Sequence, residues 1–134
     1  MLEVKNLGAQ SLQPYVGLVD DWMLGELESL GSSLKGARVA HINATSTGGG
    51  VAEILNSILP LYQGLGLEAS WLVLQGEDEF FDVTKRLHNC LQGAQDGLTT
   101  EDWKIHGDWN RHNAALMTSE YDVIIVHDPQ PAAL

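Results

Sequence analysis

Apolar residues along this chain follow two periods, and the period switches in a regular order. From Gln13 to Leu34 they stand at Val16, Val19, Met23, Leu27, Leu30 and Leu34. Steps of three and four predict a helix there, weakened by Gly17 and Gly25 and closed by Lys35-Gly36. Arg38 to Asn43 predicts a first strand. Val51 to Leu65 returns to helical spacing, with Pro60 placed to bend the helix and Gly64 or Gly66 to end it. Leu67 to Leu74 predicts a second strand. Glu79 to Leu91 predicts a helix whose apolar face carries Phe80, Val83, Leu87 and Leu91. Thr99-Thr100-Glu101-Asp102 has the composition of a further helix start, leading toward Met117. Asp122 to His127 predicts a third strand, and its unbroken apolar run is the pattern of a strand covered on both faces. Met1 to Lys5 reads as a short edge strand or an ordered arm.

Strands alternating with helices predict an α/β fold, a Rossmann-like parallel sheet with flanking helices. The expected organisation is an N-terminal arm and helix over residues 1–37, then a partial Rossmann-like domain over 38–134. Ligands of such sheets sit outside the carboxyl ends of the strands, and two polar segments fall there. The first is Asn43-Ala44-Thr45-Ser46-Thr47-Gly48-Gly49-Gly50, between strand and helix. Glycines permit positive φ and leave no Cβ in the way of a ligand. The unpaired N–H groups of the following helix start face the same space and suit an anion such as a phosphate. The second is His127-Asp128-Pro129-Gln130-Pro131, stiffened by two prolines. Its imidazole, carboxylate and amide can each be aimed at a sugar hydroxyl. Each segment also admits a plainer reading, as a tight strand-to-helix turn and as a rigid strand exit.

Composition narrows the ligand. Of 134 residues 44% are hydrophobic, enough for one packed domain, and 18 acidic against 7 basic residues give a net charge of −11. That field repels nucleic acid and anionic membranes, so any phosphate must be held by local backbone groups. The single Cys90 cannot form an internal disulfide and reads as a small buried thiol in a reducing cytoplasm. No signal peptide or membrane span is visible. The five histidines show no metal-ligand spacing, and His41 reads as a core or hydrogen-bonded residue within its strand. His106 and His112 read as one polar region, and Asn110-Arg111-His112-Asn113 suits hydroxyl binding or plain solvent exposure equally. Gly48-Gly49-Gly50 lacks both the dinucleotide spacing and the Gly-Lys-Ser/Thr of a P-loop.

Four blocks in order carry a family resemblance. They are His41-Ile42-Asn43-Ala44-Thr45-Ser46 with Gly48-Gly49-Gly50-Val51-Ala52-Glu53-Ile54-Leu55, then Glu79-Phe80-Phe81 with Val83-Thr84-Lys85, then His88-Asn89-Cys90-Leu91-Gln92-Gly93, and Val126-His127-Asp128-Pro129-Gln130-Pro131. Together they resemble the N-terminal domain of the trehalose glycosyltransferring synthases, retaining glycosyltransferases of the GT-B fold. Cys90 departs from the small residue, such as alanine, expected there. The resemblance implies transfer of glucose from a nucleotide-diphosphate-glucose to glucose, giving trehalose, with no covalent cofactor and with magnesium an open option. It implies that Gly48, Gly49 and Gly50 approach the donor diphosphate, and that His127 and Asp128 lie at the reacting sugar. Asn43, His88, Asn89, Gln92 and Gln130 are the further substrate-binding candidates. The nucleotide-holding second domain of such enzymes is missing from these 134 residues. The isolated chain is therefore expected to be inactive, and its open sheet edge favours a homodimer or other self-association. The competing expectations are a non-enzymatic sugar- or phosphate-binding module and one half of a split enzyme.

Overall fold

The computed structural model describes residues 3–134. Its elements are β1 (Glu3–Lys5), a 3-10 turn (Gln13–Tyr15), α1 (Asp21–Ser33), β2 (Arg38–Asn43), α2 (Gly50–Gly64), β3 (Glu68–Val73), α3 (Asp78–Leu91), α4 (Thr100–Ala115) and β4 (Val123–Val126). Met1 and Leu2, the beginning of the expected arm, lie outside the described residues. The strands form one sheet in the order β1-β3-β2-β4. β2 runs parallel to both β3 and β4, and β1 pairs antiparallel with β3. This is the expected Rossmann-like α/β arrangement.

Side-chain alternation sorts the sheet into two packed faces. On one, Ala40, Ile42, Leu72 and Leu74 meet Phe80 of α3, with Ile105 and Trp109 of α4 against them. On the other, Ala69, Trp71 and Val73 meet Ala52, Leu55 and Leu59 of α2. Trp71, Phe80, Leu55 and Leu59 are fully buried, each worth roughly 1.5–3 kcal/mol of apolar burial. Thr99 caps α4 as its composition suggests. Its hydroxyl accepts from the Asp102 backbone N–H at 3.1 Å, and the Asp102 carboxylate accepts from the Thr99 N–H at 2.9 Å.

The structure differs from the sequence reading in three places. The first helix begins at Asp21, not Gln13: Pro14 and Gly17, the latter at φ 80, hold the preceding segment in a turn. Its apolar positions Trp22, Met23, Leu27 and Leu30 are exposed, and only Gly31 is buried. A Cβ on Gly31 would stand 2.8 Å from that of Leu65, so α1 meets the end of α2 by backbone approach. β4 is not covered on both faces: Val123, Ile124 and Val126 are 48%, 50% and 44% exposed. The two helical layers centre on β2 and β3, and among the described residues β4 pairs with β2 alone. Cys90 is half-buried rather than buried, near the end of α3. Among the described residues no helix is long and apolar enough to cross a membrane.

Candidate functional site

The chain leaves β2 through the glycine segment, crosses by α2 to β3 on one side, then passes through α3 and α4 to β4 on the other side of β2. The order of winding reverses between β2 and β4. In open parallel sheets a crevice forms at such a reversal, outside the strand carboxyl ends. Here the two exits bounding it are Asn43–Gly50 and His127–Pro131. They enclose a cleft of about 450 Å³ lined by Asn43, Gly48, Gly49, Gly50, His88, Asp128 and Gln130, among others. A neighbouring hollow of about 270 Å³ shares His88, Asp128 and Gln130 and adds Thr84 and Lys85 of α3.

The glycine wall is built of backbone. Gly48 and Gly49 lie at φ 73 and 82, and a Cβ at any of Gly48, Gly49 or Gly50 would meet nothing within 4 Å. Gly49 caps α2 with no side-chain hydrogen bond to the helix. The first-turn N–H groups therefore carry the partial positive charge of a helix start without a side-chain acceptor. Asn43 anchors the near end of the segment. Its Oδ1 accepts from Trp71 Nε1–H at 2.6 Å and its Nδ2 donates to the Thr45 carbonyl at 2.7 Å, with the side chain buried.

The tail wall is held from three sides. The His127 N–H donates to the Ile42 carbonyl at 2.9 Å, extending the β2–β4 ladder by one residue. His41 Nδ1 and His127 Nε2 are 2.9 Å apart, and the two rings lie nearly parallel, 16° apart. Burial, with the His127 ring beside it, pushes the His41 pKa down to about 4, so His41 is neutral. From α4, His106 Nε2–H reaches the Pro129 carbonyl at 3.0 Å. Asn110 Nδ2 donates to the Gln130 carbonyl at 2.9 Å, and its Oδ1 accepts from Ala133 N–H at 3.3 Å. Asp128 projects from this frame at φ 67, an uncommon backbone for a residue with a side chain. The Gln130 Oε1 is buried and without a partner among the described residues.

Ten residues carry the expected site, and the structure separates them. Asn43, Gly48, Gly49, Gly50, His88, Asp128 and Gln130 line one cleft. His127 stands beside it, tied to His41. Gln92 is exposed and bonds His88, Nε2 to Nε2 at 2.9 Å, while Asn89 is exposed and outside the lining. Sequence reasoning missed the supporting residues on α4. Its buried residues are Asp102, His106, Asn110 and Asn113. Steps of four, four and three put them on one face, a polar stripe that could have signalled a buried clamp. Asp102 also pairs with Arg86 of α3. Backbone and hydroxyl donation from Thr99 hold its carboxyl below the usual range, with Arg86 adding to this. Asn113 grips the exit of β3, accepting from Gln75 N–H and donating to the Gln75 carbonyl, both at 2.8 Å. Among the described residues no group of three or more His, Cys, Asp or Glu could hold a metal.

This cleft can offer backbone N–H groups to an anion from one wall and paired polar side chains to hydroxyls from the other. Residues 41–134 match the family model described as the N-terminal domain of trehalose synthase. The chain is 48% identical over 135 residues to a trehalose synthase of Rubrobacter xylanophilus, covering 98% of this chain and 32% of that protein. It is 43% identical over 138 residues to a trehalose synthase of Pyrococcus horikoshii, covering 100% and 33% respectively. A trehalose phosphorylase of Grifola frondosa is more distant, at 30% over 111 residues, with 75% of this chain and 15% of that protein covered. The chain thus spans about a third of the length of the synthases it matches. By the matched residues, which include both walls of the cleft, the chain belongs to the trehalose synthase N-terminal domain family.

Proposed function

We propose that this domain forms the acceptor-side half of the cleft in a retaining GT-B glycosyltransferase. In that reading it joins glucose from a nucleotide-diphosphate-glucose to free glucose, giving trehalose. The observation that carries it is the convergence of the glycine wall and the His127–Gln130 tail on one cleft at the winding reversal. The α2 amides at Gly50 and beyond suit the donor diphosphate, which a chain of charge −11 could not attract through its surface at large. Asp128 and Gln130 accept from sugar hydroxyls, and His127 lies at the reacting sugar. The leaving phosphate takes the acceptor's proton, so no protein nucleophile is needed. Nothing in the cleft contradicts this: its lining holds one carboxylate besides amide, imidazole and backbone groups among the residues named above.

Titration calorimetry of the folded chain with glucose, trehalose and a nucleotide-diphosphate-glucose tests the reading. Heat of binding is expected for at least one sugar, abolished by Asp128→Ala. A folded sample that binds none of the three would overturn it.

A further inference from the structure

The His41–His127 contact decides which hydrogen-bonding role His127 can play, and the unpartnered atom next to it supplies the answer. Only one hydrogen lies between His41 Nδ1 and His127 Nε2, which are 2.9 Å apart. Suppose His127 donates it. His41 must then carry its own proton on Nε2, and that atom is buried with no partner among the described residues. A buried N–H without an acceptor is among the rarest defects of folded chains. The opposite arrangement leaves only a bare lone pair at His41 Nε2, on the face shared with Tyr62, whose ring lies 5.7 Å away. His41 then donates from Nδ1, His127 Nε2 accepts, and the remaining proton of His127 sits on Nδ1.

We propose that His41 is a positioning residue that fixes His127 as the Nδ1–H tautomer, making the strand-exit histidine a hydrogen-bond donor to bound sugar rather than a base. Asp128, adjacent in the chain, supplies the acceptor. A sugar hydroxyl both donates and accepts, so a neighbouring donor and acceptor match a pair of ring hydroxyls. The role for His127 rests on the sugar-binding reading above, but the tautomer does not and can be read without ligand.

The test is a long-range 1H–15N correlation spectrum of the uniformly 15N-labelled chain, above the ordinary histidine titration range. The expected pattern is a protonated Nδ1 and a bare Nε2 on both His41 and His127. A protonated Nε2 on His127 would overturn the proposal. In His41→Asn the amide N–H stands where Nδ1 stood, so His127 should keep its tautomer. In His41→Leu it should relax toward the Nε2–H form that free imidazole favours, with sugar affinity falling about tenfold. A folded His41→Leu chain whose His127 stays protonated at Nδ1 would remove His41 from the role. Should the wild-type tautomer be as expected while no sugar binds, the binding reading fails and the tautomer assignment stands.

Discussion

The two walls of the cleft are built on opposite plans. The tail from His127 to Pro131 is gripped by His41, His106 and Asn110 through bonds of 2.9–3.0 Å to the His127 ring and the Pro129 and Gln130 carbonyls. The glycine wall is tied by Asn43 at its root and by the Thr45 hydroxyl to the Thr47 backbone, while space around Gly48, Gly49 and Gly50 is open. Side chains that must hold an angle need a fixed base, whereas backbone N–H groups that follow a diphosphate need room and permissive φ. In the proposed function, a rigid reader of hydroxyls would face an adaptable cradle for charge.

Acid should break the rigid wall with the largest effect. His41 is neutral in the fold, with a pKa of about 4 against an ordinary 6.5. The unfolded chain therefore takes up a proton at this site between those values while the folded chain does not. Stability is full above pH 6.5 and falls as the pH drops toward 4, by roughly 3 kcal/mol at the low end. The groups set against the ring are His127 and the Tyr62 ring. Asp102 and Asp122, held low by Thr99 and Arg38 donors, lose their contributions at still lower pH, in the same direction. Unfolding free energies across this range should slope for the wild type and flatten for His41→Asn. Equal slopes in the two chains would remove His41 from the account.

Next in size is the clamp on α4. Asn110 is fully buried and its side chain serves the His106 carbonyl, the Gln130 carbonyl and the Ala133 N–H. Asn110→Ala strands those groups and should cost about 2 kcal/mol in denaturant unfolding. It should also weaken sugar binding by loosening Gln130. Asn113→Ala should cost a similar amount, since Asn113 is as buried, but it grips Gln75 on the far side of the sheet exit and should leave binding nearly intact. If both variants lose binding alike, the tail is not the wall that Asn110 specifically braces.

These clamps explain what the sequence showed and what it hid. The strands, the glycine turn and the placement of both polar segments on one rim follow from local periodicity and the direction of parallel strands. That is information carried by neighbours in the chain. The partners of those segments are not local. His106 and Pro129 are held together across 23 positions and His41 and His127 across 86. On α4 the buried positions are polar, so hydrophobic spacing gave no hint that His106, Asn110 and Asn113 face inward. On α1 the reverse occurred: spacing announced a helix, yet Trp22, Met23, Leu27 and Leu30 are exposed. Periodicity reports which face of a helix is apolar and not whether anything covers it. β4 misled in the same way, since a run of Val and Ile cannot reveal how far a helical layer extends.

The smallest effects on stability should come from the glycine wall, and there the two neighbouring glycines separate conformation from space. Gly49 sits at φ 82 and ψ 156, a region essentially restricted to glycine. Gly49→Ala is strained although its Cβ would meet nothing. It should cost about 1–2 kcal/mol and distort the loop, so lost binding there would have two causes. Gly50 begins α2 without positive φ, and a Cβ there also meets nothing within 4 Å. Gly50→Ala should therefore leave stability unchanged or raise it by about 0.4–1 kcal/mol, through the less flexible unfolded chain. Yet Gly50 lines the cleft, so a side chain occupies space a ligand would take. Gly50→Val should keep the fold and weaken nucleotide-sugar binding about tenfold, with glucose alone affected less because it need not reach the helix start. Calorimetry with both ligands reads the difference. Equal losses would mean that the glycine wall meets the sugar rather than the diphosphate. No loss in a folded Gly50→Val chain would move the ligand off this wall altogether, leaving the clamped tail as the only surface that binds.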